Sequence, residues 1–429
     1  MKRYDSYKDS GVEWIGEIPE GWEVKRLKYV AKICTEKAEE GAEKVALENI
    51  ESKTGRYITT DTAFEGEGIR FNQGNILYGK LRPYLAKVWV ADFDGAAVGD
   101  FFVITTEHHF SSTYLKYRLL SEEFTDLANG STFGSKMPRV DKEFLTDLPF
   151  AVPSLPEQTA IASFLDRKTA EIDQLIANKE KLIALYEEEK TAIINRAVTR
   201  GLDPQVTLKP SGVDWLGDIP EYWEVKRLKY FVSKVGSGVT PKGGASVYQL
   251  DGIPLLRSQN VHFSGLKMDD VAYITQETHD DMGNSKVMSG DVLLNITGAS
   301  IGRCYFTDDA LGEANVNQHV CIIRPTSSIT TMFLYYLLRS DVGQKQIDIE
   351  QTGSGREGLN FESLKNFVLI VPEYTEQASI VTHIETECSR LDTIIDKFKL
   401  QIELFKEYRT TLISEVVTGK IDVRDEVAA

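Results

Sequence analysis

Lys8–Tyr29 reads KDSGVEWIGEIPEGWEVKRLKY and Lys209–Tyr230 reads KPSGVDWLGDIPEYWEVKRLKY, with 17 of 22 positions identical at an offset of 201 residues. Three of the five changes are mild: Glu13/Asp214, Ile15/Leu216 and Glu17/Asp218. A second repeat follows at another offset. Pro153–Asp203 lines up without gaps on Pro372–Asp422, 219 residues later. An internal repeat sets the architecture and is read before any single motif. Because the two offsets differ by 18, the material between the repeated parts differs in length. The plan is constant–variable–constant, twice, and a duplicated frame holding two unlike inserts points to two unlike targets.

At 429 residues the chain predicts roughly two to four domains. Its hydrophobic content of 42% and charged content of 27% suit a globular protein. The start MKRYDSYKDSG has no apolar run, so no secretory signal is expected, and no window approaches a membrane span. Cys34, Cys304, Cys321 and Cys388 are dispersed without a CxxC pair, which predicts thiols in a reducing cytoplasm and no zinc. The pair His108-His109 is expected in an exposed loop. The net charge of −16 opposes a nucleic-acid partner unless basic groups cluster locally or a partner supplies them. The variable segments share the deficit: Val30–Val152 carries 14 Lys and Arg against 19 Asp and Glu, and Phe231–Val371 carries 11 against 15.

In each repeated opening, Pro19 and Gly21 prevent Trp14, Ile18, Trp22 and Val24 from sharing one regular face. This predicts an irregular strap that packs Trp14, Trp22, Trp215 and Trp223 into the core, with stacking on bases as the alternative, followed by a strand or short helix over Val24–Ala31. The variable segments look β-rich, with short runs such as GNILYGK and DFFVIT, or GDVLLNIT and HVCIIRP. Helical stretches are mixed in at SSTYLKYRLLSEEFTDLA and TTMFLYYLLRSDVGQKQI, so each segment is α+β. In Glu157–Thr199 and Glu376–Thr418 the apolar positions step by four and three. The seam reads Leu165, Ile172, Ile176, Ile183, Tyr186 and Ile193 in the first copy. In the second it reads Ile384, Leu391, Ile395, Phe398, Ile402, Phe405 and Leu412. A period of 3.5 is a coiled-coil signature, with two amphipathic helices packed on their own domains as the alternative. Gly201 and Gly419 are the expected stops. Forty-three helical residues span ~65 Å.

These features resemble the specificity subunit of type I restriction–modification systems. The resemblance is carried by W-x-G-[ED]-I-P-E-x-W (Trp14–Trp22, Trp215–Trp223), GNILYGKLRPYLAKV (Gly74–Val88), GDVLLNITGASIGR (Gly290–Arg303), NQH (Asn317–His319) and P-x-x-x-E-Q (Pro153–Gln158, Pro372–Gln377). It covers nearly the whole chain, in the family's order, in both halves. It implies an α+β fold: two α/β target-recognition domains separated by two long antiparallel coiled-coil-forming helices, as a pseudo-twofold internal repeat. The expected divisions are 1–153 and 203–371 for the recognition domains, 154–202 and 372–420 for the helical regions, and 421–429 for a tail. It also implies that each domain reads one half of an asymmetric bipartite site on double-stranded DNA. The helices then set the spacing and dock two modification subunits, which use S-adenosylmethionine. Restriction subunits would add ATP- and magnesium-dependent translocation, and no catalytic site, metal or cofactor is expected in this chain.

The residues themselves offer little chemistry. Glu23-Val24-Lys25 and Glu224-Val225-Lys226 mimic a nuclease E-x-K, but Glu20 lies too close in sequence to Glu23 to face it across a metal. No N/D-PP-[YFW] run of an amino-methyltransferase is present. Gly353-Ser-Gly-Arg-Glu-Gly358 is a literal GxGxxG in the wrong context for a dinucleotide. It and Gly134–Arg139 are either plain turns or loops suited to phosphate contact. Base reading favours Arg, Lys, Asn and Gln in loops. The candidates are Lys80, Arg82, Tyr84, Lys136 and Arg139 in the first domain, and Arg257, Gln259, Asn260, Arg303 and Arg356 in the second. Arg82 has a structural alternative, an internal hydrogen-bonding hub. The competing function is a protein-interaction scaffold of two modules on a coiled coil, without a DNA role.

Overall fold

A computed structural model describes residues 2–62, 64–132, 137–353 and 358–427. The chain divides into two compact units, Met1–Lys181 with Phe398–Ala429, and Leu182–Lys397. The fold is α+β, and both units follow one plan.

In unit 1 the strap opens with Tyr7–Asp9 antiparallel to Glu17–Pro19, and Glu23–Arg26 then pairs with Pro149–Val152. A four-stranded antiparallel sheet follows in the order Ala31–Cys34, Phe101–Thr106, Ile76–Gly79, Val88–Val90. A smaller sheet places Gly95–Val98 between Lys44–Val45, which is parallel to it, and Gly68–Phe71. Unit 2 repeats this. Leu208–Pro210 pairs with Asp218–Pro220, and Glu224–Arg227 with Val368–Val371. Its four-stranded sheet runs Val232–Ser237, Val320–Pro325, Val292–Asn295, Cys304–Phe306. The variable segments therefore share a sheet order that their sequences hide. Unit 2 adds a hairpin of Val261–His262 with Gly265–Leu266 and a short helix at Gln276–Asp281.

Each helical stretch of the variable segments is a pair of helices. Ser112–Leu120 gives way to Glu122–Gly130, and Thr331–Arg339 to Asp341–Gly353. The break falls at Ser121 and Ser340. Their buried hydroxyls donate to the carbonyls of Arg118 (2.8 Å) and Leu337 (2.7 Å), ending one helix, and accept from Phe124 N and Val342 N, opening the next. Periodicity carries through such a break, so sequence spacing alone does not reveal it.

The straps bury their second tryptophans as expected: Trp22 is 1% exposed and Trp223 fully buried, each in the core of its unit, while Trp14 and Trp215 are half-buried against the same cores. The P-x-x-x-E-Q motif explains the anchoring. Trp22 Nε1 donates to Glu157 (3.0 Å) and Trp223 Nε1 to Glu376 (3.2 Å), each at the start of a long helix. The next residue, Gln158 or Gln377, is buried. Each donates to a proline carbonyl five residues back (Pro153 or Pro372) and accepts from the N-cap backbone of a variable-segment helix, Ser111 N of Ser112–Leu120 or Thr330 N of Thr331–Arg339. One dipeptide therefore ties strap, long helix and variable segment together in each unit.

The long helices are Leu155–Arg200 and Tyr374–Val417. Within unit 1 they pair antiparallel, with Asp173 on Arg409 (3.2 Å) and Lys179 Nζ on Gln401 (2.6 Å). Within unit 2 Lys190 meets Asp392 at 2.5 Å. Every seam residue is buried or half-buried: Leu165, Ile172, Ile176, Ile183, Tyr186, Ile193, Ile384, Leu391, Ile395, Phe398, Ile402, Phe405 and Leu412. Polar residues interleaved with the seam find partners, although the buried Arg409 Nε meets Asp173 only as an ion pair, without a hydrogen bond. Lys179 lies 4.8 Å from the Phe398 ring centre, and Arg409 also donates to the Lys53 (2.8 Å) and Thr54 (3.2 Å) carbonyls. Both helices stop at glycines of positive φ, Gly201 (70°) and Gly419 (78°). No helix among the described residues is long and apolar enough to cross a membrane.

Candidate nucleic-acid interface

In unit 1 the central strand Ile76–Gly79 runs into a loop, Lys80–Ala86, fastened on two sides. Lys80 N donates to the Asp100 carbonyl (2.9 Å), Val140 N to the Lys80 carbonyl (2.9 Å), and Arg82 N to the Pro138 carbonyl (2.8 Å). Leu81 and Arg139 form a β-bridge. Lys80, Arg82, Tyr84 and Arg139, about sixty residues apart at the extremes, are thereby brought together. Arg82 and Ala86 flank the turn Pro83–Leu85 in the left-handed region (φ 51° and 44°), where a side chain costs roughly 1–2 kcal/mol. Tyr84 is 45% exposed. Arg82 is also exposed, and no described side chain pairs with it, so it is not the internal hub of the alternative reading. Lys80 is half-buried, with its ammonium 5.3 Å from the Phe102 ring centre. Arg139 is gripped by Asp100 through Nε (3.1 Å) and Nη2 (2.9 Å), which strengthens the guanidinium's hold on its proton. Backbone pairing thus sets Lys80, Arg82 and Arg139 along one loop edge, with Arg139 balanced by Asp100. Lys136 lies outside the described residues.

Unit 2 builds the same loop from different side chains. Ile296 N donates to the His319 carbonyl (3.0 Å) and Leu359 N to the Ile296 carbonyl (2.9 Å), which matches Ile296 to Lys80 and His319 to Asp100. Glycines stand at the two left-handed positions, Gly298 (φ 71°) and Gly302 (φ 86°). His319 Nδ1 meets Thr297 Oγ1 at 2.5 Å, and its Nε2 meets the Gln318 amide at 2.9 Å, while Thr240 donates to Gln318 Oε1 at 2.5 Å. Gln318 and Thr240 are exposed. Arg303 is half-buried at the loop's end with no described side-chain partner. Buried Asn295 ties this loop to the turn Ser258–Asn260, donating to the Ser258 carbonyl (2.8 Å) and Ser300 Oγ (3.2 Å). On that turn Gln259 bonds Asp270, and Arg257 bonds the Asp270 carbonyl (2.8 Å). Arg356 lies outside the described residues, as does most of the GxGxxG run.

Asn260 is a correction. It is 1% exposed, its oxygen accepts Arg257 N (2.9 Å), and its amide donates to the Lys267 (2.8 Å) and Asp270 (3.2 Å) carbonyls. Such an amide has no edge left to read a base. Unit 1 has its twin in Asn49, 3% exposed, which accepts Ala46 N at 2.9 Å. Sequence reasoning missed Asp100, Thr240, Gln318 and His319. The NQH motif was visible, but only the fold sets it beside the loop; Asp100 gave no signal at all.

His108 and His109 are exposed, and the E-x-K carboxylates are spent on their own lysines, with Glu23 2.8 Å from Lys25 and Glu224 bonded to Lys226. Among the described residues no three His, Cys, Asp or Glu side chains are grouped to hold a metal. All four cysteines are free, and burial pushes the Cys304 and Cys321 thiols up to about 12.

The family model for the type I restriction modification DNA specificity domain matches the chain twice, over residues 19–184 and 220–404. The chain is 24% identical over 427 residues to the type I restriction enzyme MjaVIII specificity subunit of Methanocaldococcus jannaschii, covering 95% of each protein. It is 25% identical over 301 residues to the EcoBI specificity subunit of Escherichia coli, covering 68% of this chain and 62% of that one. Among solved structures, a chain from work on assembly and conformational transition of the type I R-M system superimposes with a TM-score of 0.73 at 16% identity, covering 94% and 99%. The HsdS subunit of Thermoanaerobacter tengcongensis gives 0.52 at 16% identity, covering 94% and 98%; both likenesses concern the fold.

Proposed function

Because this chain belongs to the type I restriction–modification DNA specificity family, we propose that it is the non-catalytic DNA-recognition subunit of such a complex, each unit reading one half of an asymmetric bipartite site. The observation that carries this is the pair of matched loops. One backbone frame presents Lys80, Arg82, Tyr84 and Arg139 in unit 1 but Gly298, Arg303 and Gln318 in unit 2. A frame kept while its exposed side chains change is what reading two different sequences requires, since base edges are told apart by unlike donors and acceptors. A scaffold that binds one partner twice gains nothing from that divergence.

In this reading the long helices fix the gap between half-sites and dock two modification subunits. S-adenosylmethionine chemistry then resides in those partners, and ATP- and magnesium-dependent translocation in restriction subunits. The acidic balance of the chain is accommodated because the partners supply much of the surface that neutralises phosphate.

The test is methylation mapping. The chain is co-expressed with its cognate modification subunit in a methylation-deficient host, and the genome is sequenced by a long-read method that detects modified adenine. One bipartite motif with a fixed central gap is expected, and replacing Phe231–Val371 with the equivalent segment of a relative should alter one half alone. A complex that forms but leaves no motif would refute the proposal in favour of the scaffold.

A further inference from the structure

The Asp100–Arg139 pair is unlike the other two-point carboxylate–arginine pairs among the described residues. Asp291 binds Arg324 twice (2.7 and 2.8 Å), but that carboxylate is wholly buried and the arginine largely so, which makes a packing pair. Asp422 holds Arg424 two residues on, within one tight turn. Arg139, by contrast, keeps half its side-chain surface in solvent (52%), while Asp100 behind it is 22% exposed. Asp100 sits at the junction between Gly95–Val98 and Phe101–Thr106, and its own carbonyl accepts Lys80 N. The carboxylate thus stands on the two-residue bend between two strands, and the backbone of Arg139 is bridged to Leu81.

The geometry of the grip matters. A guanidinium has five N–H donors in a planar fork. Asp100 takes one edge, Nε with Nη2. The remaining edge, Nη1 with the second hydrogen of Nη2, is the pair that fits O6 and N7 of guanine in the major groove. An arginine clamped along one edge loses little further side-chain freedom when the other edge binds, so the cost of ordering it is met before DNA arrives.

Resting on the specificity reading above, we propose that Asp100 is a positioning residue that presents Arg139 to a guanine in the half-site read by unit 1. The matched position in unit 2 is His319, which holds Thr297 and Gln318 instead of an arginine. The two units therefore differ in what stands behind the loop as well as on it.

The experiment uses the whole complex in the methylation-mapping format. Arg139→Ala is expected to relax a single G·C position in one half-site, with discrimination there falling roughly 5- to 150-fold, the range for one bidentate base contact. Arg139→Lys keeps the charge but lacks the fork, so it should relax the same position. Asp100→Asn should relax it to an intermediate degree and leave the other half-site untouched. Thermal melts matching wild type exclude a folding defect, and the exposed Arg139 variants serve if Asp100→Asn melts early. The proposal is overturned if Arg139→Ala lowers methylation uniformly with the motif intact, as a phosphate contact would, or changes nothing. Retention of the motif by Asp100→Asn alongside its relaxation by Arg139→Ala would also overturn the role of Asp100. A wild-type complex with no bipartite motif sinks the specificity reading itself, and is told apart because it needs no variant.

Discussion

The duplicated helix stops provide an internally controlled test of the packing. Gly201 and Gly419 end equivalent helices with nearly the same φ, 70° and 78°. An alanine at either position must adopt the left-handed region, at about 1–2 kcal/mol, less about 0.4–1 kcal/mol regained from a stiffer unfolded chain. What differs is the space. A Cβ on Gly201 would meet a Glu376 carboxylate oxygen and Trp223 Cζ2, both at 3.3 Å, so each neighbour need give only a few tenths of an ångström. A Cβ on Gly419 would lie 2.5 and 2.6 Å from two ring carbons of Pro19, and 3.3 Å from Trp22. The Pro19 ring is part of the strap backbone and cannot rotate aside. That overpacking adds roughly 1–3 kcal/mol. Gly201→Ala should therefore cost about 0.5–1 kcal/mol and Gly419→Ala about 2–4 kcal/mol. Urea unfolding followed by tryptophan fluorescence gives the midpoints. Hydrogen exchange on peptides covering the strap and helix end of each unit assigns the loss. Equal destabilisation by the two substitutions, or a larger loss at Gly201, would show that Pro19 does not pack on Gly419 as described.

Two further outcomes follow from buried polar groups. Asn260→Ala strands Arg257 N and two carbonyls, and should destabilise unit 2 by about 1–3 kcal/mol while leaving base preference unchanged; Asn49→Ala should do the same in unit 1, and a shift in methylation motif for either would restore a reading role. Arg409→Ala removes the nearer partner of Asp173, only 16% exposed, leaving it Arg56 at 3.8 Å, and frees the Lys53 and Thr54 carbonyls, so a loss short of the about 3–5 kcal/mol of a wholly stranded buried charge is expected in a denaturation series. Asp173→Asn combined with Arg409→Met should recover much of it; failure to recover would mean the carbonyl bonds, not the ion pair, dominate.

The sequence by itself determined the periodic and the repeated. A seam stepping by four and three needs only local geometry, so both long helices were legible, as were their glycine stops and the burial of Trp22 and Trp223. The duplicated strap announced two units of one plan, because the same residues in the same order fold the same way. Tertiary structure alone decided what sheet pairing juxtaposes. Asp100 and Arg139 are 39 residues apart and meet because the strand after Asp100 lies beside the strand before Lys80, while Leu81 bridges to Arg139. Asn260 looked like a loop reader, and only burial shows its amide spent on its own turn. Hydrogen-bond partners across a sheet leave no period in the chain, so the frame of the candidate interface could be read in advance and the occupants of its edge could not.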